Sequence, residues 1–123
     1  MNLLQGWPRL KMKILLIDDS KADRTLYRKL IEDCNLFKNV EIEGCGNLSD
    51  AFETLKENNF DLIILDLGLP ESDGIDTITS VYQELQKKKN IPPIIVLTGL
   101  EDHLIGTEAF KHGVKDFLIK SEI

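Results

Sequence analysis

Short uninterrupted apolar runs recur along this chain, and helical patterns separate them. Ile14-Leu15-Leu16-Ile17, Leu62-Ile63-Ile64-Leu65, Ile94-Ile95-Val96-Leu97 and Phe117-Leu118-Ile119 each have the length of a strand. A run with no polar alternation fits a strand buried on both faces, as in a parallel sheet covered by helices on either side. A fifth segment, Val40 to Cys45, alternates apolar and polar residues, as a half-exposed edge strand does.

The segments between the runs read as helices. Ala22, Leu26, Leu30 and Cys34 form an i, i+4 stripe, with Tyr27 and Ile31 beside it. Ser20 followed by Asp23 has the form of a capping box, with Asp where Glu is usual. Leu48, Ala51, Phe52 and Leu55 match i, i+3, i+4, i+7. Ile75, Ile78, Tyr82 and Leu85 define a third helix, which Asn90 to Pro93 breaks. A fourth, over about 102–112, carries a thin stripe of Leu104, Ile105 and Ala109 interrupted by Gly106, and Gly113 is placed to end it in the left-handed conformation.

Strict β-α alternation predicts an α/β fold, a doubly wound parallel five-stranded sheet. With the second strand at an edge and the others buried, the flavodoxin-like order 2-1-3-4-5 fits. The polar residues that end the runs, Asp18-Asp19, Asp66, Thr98 and Lys120, then share the carboxyl edge of one sheet, where open α/β folds bind ligands. The first and third strands are neighbours in that order, so the three acids meet at the switch point.

Size and charge narrow the function. A chain of 123 residues with 42% hydrophobic and 29% charged residues is one globular domain. No apolar stretch approaches the roughly 20 residues of a bilayer span, and residues 1–11 lack the pattern of a secretory signal. A cytoplasmic address and no membrane partner are expected. The net charge of −6 argues against direct nucleic-acid binding. Lys87-Lys88-Lys89 reads as a solvated last helical turn. Cys34 and Cys45, without metal-type spacing, read as reduced thiols.

Three carboxylates converging at one point repel one another, and such a cluster persists mostly by holding a cation. All-oxygen ligands with room for water suit Mg²⁺. Asp18-Asp19 alone would read better as a helix cap; with Asp66 opposite, the metal is the better reading. Asp66 can also serve as a nucleophile toward phosphorus, giving an aspartyl phosphate. That transfer needs charge neutralisation and donors around the equatorial oxygens, for which Lys120 supplies an ammonium and Thr98 a hydroxyl. Individually, Lys120 reads as a snorkelling strand-end lysine and Thr98 as a β-former capping the next helix.

These motifs, Ile17-Asp18-Asp19-Ser20, 66–74 (DLGLPESDG), Val96-Leu97-Thr98-Gly99 and Lys115-Asp116-Phe117-Leu118-Ile119-Lys120, together resemble the receiver domain of bacterial two-component response regulators over about residues 12–120. The resemblance implies a signalling switch rather than a turnover enzyme. Asp66 would take a phosphoryl group from the phosphohistidine of a sensor histidine kinase or a phosphotransfer protein. Asp19, Asp66 and the carbonyl of Gly68 would bind Mg²⁺ directly, with Asp18 acting mainly through water. Thr98 and Lys120 would bind the phosphoryl oxygens, and small Gly99 would leave them space. Phe117 would be the switch aromatic that turns inward when Thr98 moves; a plain core phenylalanine reads as well. The thin fourth helix is the element expected to respond. His103 and His112 on it read as surface residues.

Several departures from that family shape the expectations. Ser121 follows Lys120 where proline after a cis bond is usual; a cis bond before serine costs about 2.5–4 kcal/mol, so a trans bond is expected. Gly68 and Leu100 occupy positions that are often polar. The chain stops at Ile123, before the fifth helix of a receiver, so the predicted unit is residues 12–123 with 1–11, including Trp7, as an extension or linker. The flank beside the first and fifth strands should then present apolar surface to an effector domain, a partner or a second copy in a homodimer. A haloacid-dehalogenase-type phosphatase fits poorly, because Asp66 lacks a second acid two residues on. A flavodoxin would need a Ser/Thr-rich loop where Asp18 to Lys21 stands, and the full set of five site residues argues against a degenerate receiver used only for binding.

Overall fold

The structure is a computed structural model that describes residues 12–34, 39–99 and 103–123. The extension 1–11 with Trp7, the position of Leu100, the first residue expected of the fourth helix and the side chain of His103 lie outside the described residues. The elements alternate as expected: β1 (Met12–Ile17), α1 (Lys21–Glu32), β2 (Val40–Cys45), α2 (Leu48–Glu57), β3 (Leu62–Asp66), α3 (Gly74–Leu85), β4 (Ile94–Thr98), α4 (His103–Lys111) and β5 (Asp116–Ile119). A short 3₁₀ turn, Lys120–Glu122, follows. The sheet order is β2-β1-β3-β4-β5 and every pairing is parallel.

Alternate residues of each buried strand serve two cores. Leu15, Ile17, Ile63, Leu65, Ile94 and Val96 pack against Leu48, Ala51 and Leu55 of α2, Ile78, Val81 and Leu85 of α3, and Ala109 of α4. On the opposite face, Ile14, Leu16, Ile42, Ile64 and Leu97 meet Tyr27 and Ile31 of α1. Among the described residues, then, three helices cover one face and one covers the other.

The rotation of α1 corrects the expected stripe. Leu26 and Leu30 are 52% and 47% exposed, Ala22 is exposed, and Tyr27 is the buried residue, with Ile31 partly so. The cause lies in two arginines one turn apart. Arg24 Nη1 donates to the Asp18 carbonyl (2.6 Å) and Arg28 Nη1 to the Ile42 carbonyl (2.8 Å), which pins their side of the helix over the edge strand. Gly44 and Gly46 leave room for them: a Cβ at Gly46 would stand 3.2 Å from Arg24 Nη1, and one at Gly44 3.3 Å from Arg28 Nη2. With that side fixed, the stripe through Tyr27 turns onto the sheet. Leu26 and Leu30 are left exposed, and Leu118 of β5 is exposed as well.

Other local features match or adjust the expectations. β2 alternates in burial as an edge strand should. Gly113 takes φ +95° after α4. No peptide bond of the described residues is cis, and Cys34 and Cys45 are unbonded. The lysine run is not a helical turn: α3 ends at Leu85, and Lys88 reaches across to donate to the carbonyls of Leu55 and Asn58 (2.9 Å to the latter), capping the C-terminus of α2. No helix among the described residues is long and apolar enough to cross a membrane.

Candidate functional site

The carboxyl edge of the sheet collects the predicted residues through register alone. Ile17 of β1 pairs with Leu65 of β3, so Asp18 and Asp66 leave adjacent strands at the same level. Asp66 in turn pairs with Leu97, which places Thr98 one step further on the next strand, and Thr98 pairs with Ile119, immediately before Lys120. Asp18, Asp66 and Thr98 are buried polar residues, while Asp19 is exposed.

A carboxylate oxygen from each of Asp18, Asp19 and Asp66 lies within 4.8 Å of the other two. Asp18 is held from both ends: its Oδ1 accepts from the Ser20 N–H (2.9 Å) and its Oδ2 from Lys120 Nζ (2.9 Å). Asp66 Oδ1 accepts from the Gly68 N–H at 3.0 Å, and its Oδ2 lies 3.4 Å from Lys120 Nζ. Lys120 therefore sits at the centre of the acids. Its third partner is Asp23 Oδ2 at 2.8 Å, a residue outside the predicted set.

The electrostatics follow from burial and neighbours. Burial pushes the Asp66 carboxyl above its ordinary range; the Asp18 charge adds to this, while the Gly68 N–H and Lys120 pull the other way. Burial alone would lower the Lys120 ammonium, but hydrogen bonds to Asp23 and Asp18 and the charge of Asp66 outweigh it and hold Lys120 above its usual value. A permanent cation thus stands beside an acid that is costly to ionise.

The remaining predicted residues fall nearby. A Cβ at Gly68 would lie 3.4 Å from Asp66 Oδ1, so any side chain there would abut the carboxylate, whereas the space at Gly99 is open. Phe117 is partly buried at the rim of the larger core, its ring against Gly106 of α4: a Cβ at Gly106 would be 3.3 Å from Phe117 Cδ1 and Cε1. The glycine that thins the stripe of α4 is the seat of this aromatic ring. His112 is exposed, as expected. Glu71, in the loop after Asp66, accepts from the Leu48 N–H (2.6 Å) and ties that loop to the start of α2.

This is the architecture of a receiver domain, and the sequence comparisons agree. The chain matches the response regulator receiver domain family over residues 14–122, and it belongs to that family. It is 34% identical over 108 residues to the transcriptional regulatory protein SrrA of Staphylococcus aureus (strain NCTC 8325 / PS 47), covering 88% of this chain and 41% of the relative. The chain thus spans about two-fifths of the length of the curated relatives it matches. Among solved structures it is similar to the signal receiver domain of a response regulator from Bermanella marisrubri (30% identity, TM-score 0.73, covering 90% of this chain and 87% of that one). A two-component response regulator from Clostridium difficile is similar at 25% identity and TM-score 0.75, over 89% and 84% of the two chains. Receiver domains are signalling domains that bind Mg²⁺ at an acidic cluster, and the three carboxylates here fit such an ion: all donors are oxygen, and two of the acids are buried.

Proposed function

We propose that Asp66 is the phosphoacceptor of a receiver unit spanning residues 12–123, with 1–11 as an extension, and that it is charged by the phosphohistidine of a sensor histidine kinase or phosphotransfer protein in the cytoplasm. A carboxylate oxygen of Asp66 attacks phosphorus, the P–N bond of the phosphohistidine breaks, and the imidazole nitrogen leaves with the electron pair. The observation that carries this reading is the ammonium of Lys120, 3.4 Å from the Asp66 carboxylate and shared with Asp18 and Asp23. Positioned positive charge is the main requirement of phosphoryl transfer, which involves little other covalent chemistry.

The other residues divide the work. Lys120 and Thr98 bind the phosphoryl oxygens that form on Asp66. Asp18, Asp19, Asp66 and the Gly68 carbonyl would hold Mg²⁺, which supplies further neutralisation of the transferring group. Thr98 ends β4 and α4 begins at His103, so a pull on the Thr98 hydroxyl acts on the chain that leads into that helix. Phe117, seated on Gly106, follows α4 as it shifts. Phosphorylation adds nearly two negative charges, enough to bias a lightly anchored helix. The reading is tested by incubating the protein with Mg²⁺ and acetyl phosphate and weighing it. One phosphoryl group should be gained, lost in Asp66→Asn and lost when Mg²⁺ is withheld with a chelator. A chain that gains no mass, or an Asp66→Asn variant that still gains it, would sink the assignment.

A further inference from the structure

The contact that the family pattern does not call for is Asp23 to Lys120. Ser20 and Asp23 have the form of a capping box, but only half of the box is made. Ser20 Oγ accepts from the Asp23 N–H (3.1 Å), whereas the Ser20 N–H, which the Asp23 carboxylate would cap, is taken by Asp18 Oδ1 (2.9 Å). The Asp23 carboxylate is thereby released from its own helix and accepts from Lys120 at 2.8 Å, closer than the 3.4 Å between Lys120 and Asp66.

An ammonium has three protons, and Asp18, Asp23 and Asp66 face all of them. A phosphoryl group on Asp66 brings new acceptors, and Lys120 can serve them only by loosening a present partner. Asp18 is buried, with its other oxygen held by backbone, while the Asp23 side chain is 35% exposed. Asp23 is thus the partner that must yield, and its charge also opposes an incoming anion.

We propose that Asp23 is a positioning residue that holds Lys120 toward α1 and restrains the charging of Asp66. This rests on Asp66 being the phosphoacceptor. Because Asp23 is partly exposed, the restraint is small, about two- to fivefold in affinity for a phosphoryl mimic.

The test is calorimetric titration of beryllofluoride, with Mg²⁺, into the whole chain. Asp23→Asn keeps the N–H that Ser20 caps and removes only the charge. It should bind beryllofluoride about two- to fivefold more tightly than the parent and take phosphate from acetyl phosphate correspondingly faster. A gain is the informative sign, since mere damage to α1 would weaken binding. Asp76→Asn removes an exposed charge from the first turn of α3 that is not among the acids acting on Lys120, and serves as the control. Unchanged or weaker binding in Asp23→Asn would overturn the proposal, and so would an equal gain in Asp76→Asn. A parent chain that binds no beryllofluoride at Asp66 would instead remove the phosphoacceptor reading, and this proposal with it.

Discussion

Replacing the phosphoacceptor candidate should make the protein more stable. Asp66 is 3% exposed and its carboxyl is held above its ordinary value of 3.8, chiefly by burial. At an effective dielectric of about 20, the attraction to Lys120 at 3.4 Å is about 5 kcal/mol. The repulsion from Asp18, whose ligand oxygen is no more than 4.8 Å away, is then at least about 3.5 kcal/mol. These nearly offset, and the desolvation of a buried carboxylate costs several kcal/mol more. Asn at this position keeps an acceptor for the Gly68 N–H, and Lys120 keeps Asp18 and Asp23. In metal-free buffer at pH 7, Asp66→Asn should therefore gain about 1–3 kcal/mol, read as a rise of about 1 M in the urea midpoint with an unchanged slope.

The pH dependence fixes the cause. The folded carboxyl binds its proton more tightly than the unfolded one, so the parent is favoured by low pH. Below 3.8 both states are protonated and the variant has no advantage. As pH rises from there through the raised folded pKa, the parent loses stability and the advantage of Asp66→Asn grows, then levels off. Urea melts at several pH values would show this directly. A variant no more stable at pH 7, or a gain undiminished near pH 4, would refute burial of charge as the explanation.

Two further perturbations probe the packing. Tyr27→Ala should cost about 3 kcal/mol, because it empties a buried site between α1 and the sheet, whereas Leu26→Ser and Leu30→Ser should stay within about 0.5 kcal/mol in urea melts. Gly106→Ala gains up to about 1 kcal/mol of helix propensity but sets a methyl 3.3 Å from the Phe117 ring. Net stability should change little while the ring protons of Phe117 shift in NMR spectra; unshifted Phe117 signals would show that Gly106 does not seat the ring.

The site was legible in the sequence because buried parallel strands announce themselves as unbroken apolar runs, and the residue after each run lands on one edge. Asp18, Asp66, Thr98 and Lys120 needed only the strand order to be brought together. The rotation of α1 was not legible. Two apolar stripes, through Leu26 and Leu30 and through Tyr27 and Ile31, lie about 100° apart on that helix, and periodicity favours neither. The choice falls to hydrogen bonds from Arg24 and Arg28 to backbone carbonyls of Asp18 and Ile42, contacts with no local signature. Lys88 escaped for the same reason, its partners being carbonyls about thirty residues away.

The unpredicted rotation and the unpredicted ion pair are one event. Asp23, Tyr27 and Ile31 are spaced i, i+4, i+8 and so share a helix face. Turning Tyr27 onto the sheet brings its ring to 6.0 Å from Lys120 Nζ and carries the Asp23 carboxylate to 2.8 Å from the same atom. Had α1 packed through Leu26 and Leu30, Asp23 would be turned about 100° from Lys120, and its carboxylate would lose that partner. Ser20 could not have received it even then, because its N–H is bound to Asp18. The edge-strand glycines that admit the two arginines thus touch the site indirectly, through the way α1 lies over the sheet and carries Asp23 to Lys120.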